Sequence, residues 1–401
     1  MKENRIRIEI TTKKVHLPGS MAGIYLHIPF CRQACAYCNF HFSTSLASKN
    51  EIIGSLLKEI DLRKEYLDGA EIDTIYFGGG TPSLLSIREI DDLLNAIHRF
   101  HRVSTNVEVT LEGNPDDLNS TMLKQLLHSG VNRLSIGIQS LFDEDLQWMH
   151  RAHNRQQAFA CIHQAFLAGF KNLSADLIFG YHLLTASKWE QNIDQFLAWE
   201  IPHISCYGIT VENKTLLSHQ INKGLTPEPD QAILAEQYNY LIGRLTESGY
   251  RHYEISNFAK PGFESRHNSS YWHGVHYLGI GPSAHSFNGT SRQWNCSNNA
   301  LYHRTLQNNA LPAEIEILRQ MDILNERIMT EFRLDEGIKL SSILDHLKSE
   351  LIPATWVQIE KWKSEGMLIQ QGDRLYLTQF GKLFADGIAA DFFISEDDLN
   401  S

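Results

Sequence analysis

The chain contains no run of ~18 consecutive apolar residues, the length a membrane-spanning helix needs, so no such span is predicted. It lacks a basic surplus: 36 Lys+Arg stand against 47 Asp+Glu, for a formal charge of −11. That balance argues against broad nucleic-acid binding as the main activity and leaves room only for a local basic patch. No low-complexity tract occurs, and no repeat beyond a strand–helix unit. Cysteine is sparse, six in 401 residues, which excludes a small disulfide scaffold. The first 20 residues are polar and mildly basic, without the apolar core or cleavage site of a secretory signal. A cytoplasmic location is the expectation, and there clustered cysteines bind metal more often than they pair. Residues 1–20 read as an N-terminal extension: either Met21 is the native start or the segment is a natural tail.

Hydrophobic residues make up 42% of the chain and charged residues 21%, enough for a sizeable core and unlike a disordered chain. At about 150 residues per domain, this length predicts two or three domains, although a barrel uses about 250 alone. Short β-branched or aromatic runs occur at 24–28, 74–77, 107–111, 133–138, 173–179 and 204–209. Stretches with helical spacing lie between or after them, at 52–66, 87–100, 120–128, 155–167, 189–199 and 231–248. This alternation predicts parallel strands with crossover helices. Six units favour a partial (β/α)6 barrel over residues 21–250. The unusual residues follow the strands, where parallel α/β folds build their sites.

The rhythm changes near residue 250. Residues 251–314 read as a loop-rich connection dense in His, Asn, Ser and Gly. Within 315–401, helical spacing at 326–332, 340–347 and 355–364 precedes two short apolar runs flanking a Gly372-Asp373 turn. That order predicts a small winged-helix-like domain. Its third helix carries Trp356, Ile359 and Trp362 with only Lys361 and Lys363, so packing against the barrel is expected and no nucleic-acid partner.

Three cysteines fall close together, as Cys31-x3-Cys35-x2-Cys38, while Cys161, Cys206 and Cys296 lie far apart. A structural zinc site takes four protein ligands. A four-iron cluster needs one ligand per iron, so three thiolates leave one iron open to a small molecule. S-adenosylmethionine can fill it through its amino and carboxylate groups. The plain alternative is three thiols packed in a loop.

The segment Tyr25-Leu26-His27-Ile28-Pro29-Phe30-Cys31, with Cys35 and Tyr37-Cys38, resembles the radical SAM superfamily. Within it, the chain resembles the branch holding oxygen-independent coproporphyrinogen oxidases and HemW-type heme chaperones. The likeness continues through Phe77-Gly78-Gly79-Gly80-Thr81-Pro82, Glu112-Gly113-Asn114-Pro115, the run ending in Gln139-Ser140, Arg151-Ala152-His153 and Asp176-Leu177-Ile178. The resemblance implies a [4Fe-4S] cluster on Cys31, Cys35 and Cys38 and a bound S-adenosylmethionine. It places Gly79, Gly80 and Thr81 at the amino end of that ligand and Glu112 on its ammonium. Gln139 and Arg151 take its carboxylate and ribose region, and Asp176 its ribose hydroxyls. Tyr25 and Tyr37 border the cluster and adenine, while Thr210 and His285 stand at the edge of the cofactor site. A solvated or capping carboxylate is the alternative for Glu112 or Asp176 taken singly.

Two features separate the branch members. The oxidases carry a further cysteine two residues after the third, where this chain has Phe40 and the chaperones carry Phe. The segment Arg266-His267-Asn268-Ser269-Ser270-Tyr271-Trp272 is similar to a signature of the chaperone group. Imidazole is a good axial ligand to heme iron, and adjacent aromatics stack on a porphyrin. His267 is therefore the expected heme ligand, with His273, His276 and His285 as alternatives. The competing reading is that His267 and Trp272 pin a loop over the barrel mouth. Asn39 and Gly180-Tyr181-His182 depart from the family pattern and leave the loop near the ribose open to change. The resemblance thus implies a heme chaperone that passes heme to an acceptor protein, a respiratory cytochrome being one candidate, with at most transient membrane contact. The alternative is radical decarboxylation of coproporphyrinogen. No catalytic residue is assigned.

Overall fold

The computed structural model describes residues 21–399, so the reading of residues 1–20 lies outside the described residues. Six strands follow the expected runs: β1 (Met21–Ile28), β2 (Glu71–Gly79), β3 (Val103–Gly113), β4 (Arg133–Gln139), β5 (Asn172–Phe179) and β6 (His203–Gly208). Each pairs in parallel with the next. Helices α1 (Lys49–Leu62), α2 (Ile87–Phe100) and α3 (Ser120–His128) make the first crossovers. The short α4 (Asp143–Trp148) and then α5 (Arg155–Ala168) and α6 (Ala186–Ala198) make the later ones. After β6 come α7 (Leu216–Asn222) and α8 (Gln231–Glu247). This is the expected partial (β/α)6 barrel.

Local chemistry sets the boundaries. Ser86 and Glu89 form a reciprocal capping box that opens α2, and Asn154 with Gln157 does the same for α5. α5 ends on Gly169 at φ +110°, a left-handed position that costs glycine little. The strands alternate. In β1, Ile24, Leu26 and Ile28 are fully buried in the main core with Ile52, Leu56 and Ile60 of α1. Tyr25 and His27 have the opposite parity and face the other side of the sheet.

The segment read as loop-rich extends the same sheet. It carries β7 (Arg251–Glu254), β8 (Asn257–Ala259), α9 (Arg266–Trp272), β9 (His276–Ile280), β10 (His285–Phe287), β11 (Ser291–Asn295), α10 (Asn299–Gln307) and β12 (Ala313–Ile317). β9 pairs in parallel with β1. The sheet therefore runs β12-β11-β10-β9-β1-β2-β3-β4-β5-β6-β8-β7. These added strands are three to five residues long, and apart from β12, which alternates as Ala-Glu-Ile-Glu-Ile, neither length nor alternation marks them.

The C-terminal elements follow the expected order. They are α11 (Gln320–Glu331), β13 (Ile338–Lys339), α12 (Ser341–Leu344), α13 (Ile352–Ser364), the hairpin β14 (Leu368–Gln371) and β15 (Arg374–Leu377), and α14 (Ala385–Ala390). They enclose a second core around Phe332, Ile338, Ile359 and Leu375. Ile359 is buried there with Trp356 and Trp362 packed alongside, so the third helix packs into this unit's own core and not against the barrel as expected. Arg251 of β7 forms a forked pair with Asp335, and the Asp335 N–H donates to the Tyr253 carbonyl, tying this unit to the sheet edge.

Ile24 sits in β1, paired on both sides, with no exposure. Ile24→Ala should lower unfolding free energy by about 2–5 kcal/mol, read as a lower urea midpoint at unchanged slope.

Candidate functional site

The C-terminal ends of β1 to β6 surround a cavity of about 420 Å³. All of the expected cluster and cofactor residues line it except Tyr25, His267 and His285. Residues drawn from six separate strand ends thus meet on one face.

The cysteine loop is built by backbone bonds. The Cys31 N–H donates to the Ser43 carbonyl at 3.0 Å, and the Ser43 N–H to the Pro29 carbonyl at 2.9 Å. Phe30, fully buried, anchors the start. The Ala36 N–H reaches the Met149 carbonyl at 3.0 Å, fixing the loop against the segment after α4. Thr81 Oγ1 donates to Cys31 Sγ at 3.4 Å and Arg151 Nη1 to Cys35 Sγ at 3.3 Å. Burial pushes the Cys31 thiol up to about 11 and raises Cys38 as well, so both are protonated at neutral pH until a metal displaces the proton. Among the described residues no three Cys, His, Asp or Glu side chains converge tightly enough for a single metal ion. A four-iron cluster makes a different demand: each thiolate meets its own iron, so the sulfurs stand apart around a volume. Three half-buried thiols on one cavity wall, with two donors aimed at their sulfurs, fit that group.

The glycines are there for close approach. A Cβ on Gly80 would stand 2.6 Å from the Phe30 carbonyl oxygen, and Gly79 has φ +106°. The Gly79 N–H donates to Glu112 Oε2 at 3.2 Å, and Tyr76 Oη donates to Oε1 at 2.7 Å. Burial nevertheless pushes the Glu112 carboxyl up to about 7. Burial also raises Asp176 to about 6, against hydrogen bonding from neighbouring serines, Ser135 among them at 3.3 Å. Two desolvated carboxyls beside a cavity favour a cationic, hydroxyl-bearing ligand. Arg151 Nη2 is held by Asn114 Oδ1 at 2.6 Å and the Gly137 carbonyl at 2.8 Å. Gln139 has φ +67°, an unfavourable conformation for a non-glycine residue, held where β4 ends. The departure at Tyr181 is absorbed by packing. Its hydroxyl donates to Asp145 at 2.8 Å and its ring stacks on Trp148, so side-chain contacts fix this loop.

A second cavity, of about 840 Å³, adjoins the first. Tyr25 and His285 line this one, along with His27, His41, Tyr271 and Trp272. Asn39 and Phe40 line both cavities. His267 lines neither. It is 1% exposed, with Nδ1 2.7 Å from Thr74 Oγ1 and Nε2 2.8 Å from Tyr271 Oη. Its ring stacks on Tyr76 at 4.9 Å. The expectation that His267 offers an open nitrogen to heme iron is therefore corrected: both nitrogens are spent inside the protein.

Sequence reasoning passed over Tyr76, His27 and His41. Strand parity held a signal for the first, since residues 74, 76 and 78 share the face that carries Glu112 on β3. For His41, on a loop, no pattern in the chain gave its place.

The pattern defining the radical SAM superfamily matches residues 25–196, and that of the HemN C-terminal domain matches residues 318–384. The whole fold resembles coproporphyrinogen III oxidase (HemN) from Escherichia coli, with a TM-score of 0.81 at 20% identity over 94% of this chain and 91% of that one. Fold and sequence pattern together define a radical SAM superfamily protein. Heme chaperone HemW of Mycobacterium tuberculosis is 32% identical over 93% of this chain and 95% of its own. Heme chaperone HemW of Bacillus subtilis is 31% identical over 93% and 99%. The chain belongs to the HemW family. No described helix is long and apolar enough to cross a membrane.

The raised carboxyl gives a pH prediction. With its value at about 7, Glu112 is mostly protonated near pH 6 and mostly ionised near pH 8. An ammonium ligand stabilises the ionised form. S-adenosylmethionine binding to the cluster-free protein, where no iron takes the ligand's amino group, should therefore release about one proton near pH 6 and fewer near pH 8, by calorimetry in buffers of differing ionisation enthalpy. Glu112→Gln should abolish that difference.

Proposed function

We propose that the protein carries heme in the larger cavity and delivers it to an acceptor protein, with a [4Fe-4S] cluster and S-adenosylmethionine in the neighbouring cavity. The observation that carries this reading is the cavity of about 840 Å³ bearing histidine and aromatic side chains beside the cysteine loop. A porphyrin is flat, apolar on its faces and charged at its propionates. Tyr25, Tyr271 and Trp272 offer rings for its faces, and Arg292 and Arg327 line the same wall, each paired with a glutamate, Glu326 and Glu331. The Trp272 indole N–H has no acceptor among the described residues. The names of the relatives point the same way.

In the smaller cavity Cys31, Cys35 and Cys38 would hold the cluster, with Arg151 and Thr81 donating to the sulfurs of Cys35 and Cys31. Glu112 would take the ligand's ammonium, Gly79 and Gly80 would let the backbone approach it, and Asp176 would accept from ribose hydroxyls. Gln139 and Thr210 complete the wall. Bound together, the two groups supply reductive cleavage of a carbon–sulfur bond; heme carriage breaks no bond in the protein. Phe40 supports carriage over porphyrinogen decarboxylation, because it fills the position where the resembling oxidases have a further cysteine.

Anaerobic reconstitution followed by parallel assays of hemin binding and coproporphyrinogen turnover tests this. Stoichiometric hemin uptake without turnover is expected. Turnover at enzyme-like rates with no uptake overturns it. Cys35→Ala should remove the broad visible absorption of the cluster while circular dichroism stays unchanged; wild-type iron content in that variant would reject the three-thiolate assignment.

A further inference from the structure

We infer that His285 is the side chain that ligates the heme iron, an assignment that rests on the heme-carrier reading above. An axial imidazole needs a nitrogen whose lone pair is free and a ring facing the ligand. Four histidines line the larger cavity: His27, His41, His273 and His285. His27 has nothing to spare. Its Nδ1 lies 3.2 Å from Tyr25 Oη and its Nε2 2.8 Å from the His41 carbonyl. His41 donates Nε2–H to Asn299 Oδ1 at 2.7 Å, which leaves its Nδ1 lone pair free, but it sits on the loop after the cysteines and no strand fixes its backbone. His273 caps the C-terminal end of α9, so no strand backbone fixes its position; it and His285 are both solvent-exposed. Neither ring nitrogen of His285 has a hydrogen-bond partner among the described residues, and its ring lies 6.2 Å from the Trp294 indole.

The backbone under His285 is fixed. It opens β10, in register with Trp294 of β11. A Cβ on Gly279 of β9 would stand 2.0 Å from the His285 carbonyl oxygen, so only glycine lets the two segments meet. The Gly279 N–H also donates to Ser286 Oγ at 2.9 Å. A ligand on such backbone is preorganised. Burial, and secondarily the charge of Arg292, hold the imidazole below its ordinary value, so it is neutral at neutral pH with its lone pair available.

The test is hemin titration of the reconstituted full chain by absorption and low-temperature electron paramagnetic resonance. The set comprises wild type, His285→Ala, His41→Ala and His273→Ala. His285→Ala should shift the Soret band and weaken hemin binding by more than the roughly tenfold typical of losing an outer-shell partner. Added imidazole should restore the wild-type spectrum in that variant, which a misfolded protein would not do. His273→Ala should leave the spectrum unchanged. A His285→Ala spectrum and affinity equal to wild type overturns the assignment, and so does loss of the wild-type spectrum in His41→Ala or His273→Ala alone. If wild type itself takes up no hemin, the heme-carrier reading fails and this assignment with it.

Discussion

Parallel pairing of β1 with β2 on one side and β9 on the other is the constraint on which both cavities depend. A strand buried between two neighbours cannot slip by one residue without turning Ile24, Leu26 and Ile28 out of the core. Register therefore fixes where Tyr25 and His27 point. It also fixes the height at which the chain leaves β1 to enter the cysteine loop. The ladder runs to Ile28 opposite Gly79, so the loop starts beside the glycines that line the same cavity. On the other side β9 carries β10, and with it His285, on its far edge. One pairing thus sets the distance between a set of thiols and a set of imidazoles that are far apart in sequence.

Inside the sheet the side chains are polar to an unusual degree. Glu108, Thr110 and Glu112 follow one another at alternate positions of β3, all buried or nearly so, and Arg133 of β4 is 1% exposed. Arg133 Nε and Nη1 have no partner among the described residues. Its charge opposes the desolvation that raises Glu112 and Asp176, which leaves both carboxyls able to titrate near neutrality. Glu108 does a different job. It accepts from the backbone N–H groups of Arg266 and His267 at 3.2 and 3.1 Å, holding the start of α9 within the sheet. The histidine that looked like a metal ligand is the residue by which this helix is seated.

The strand–helix alternation of residues 21–250 was legible because its strands are long, apolar and separated by helices with clear caps. The smaller cavity was legible for a related reason: in a parallel sheet, motifs after successive strands must meet. The C-terminal hairpin was legible from Gly372 and the apolar runs that flank it. The strands after residue 250 were not, since His276, Ser286, Arg292 and Glu314 make short strands look like loop. Orientation was the other gap. The chain shows His267 beside Tyr271 and Trp272, but not that Thr74 and Tyr271 would occupy its nitrogens. Likewise nothing in sequence distinguishes His285, unbonded on a strand, from His276 nearby.

Asn39 and Phe40 face both cavities, and the thiol of Cys38 is the next side chain along. A partition this thin makes two binding equilibria share one set of atoms. Whatever free energy an occupant of one cavity spends in moving Phe40 is returned to, or charged against, the occupant of the other, by the same amount in either direction. With both cavities filled, the Phe40 ring would be a point of thermodynamic reciprocity between their occupants.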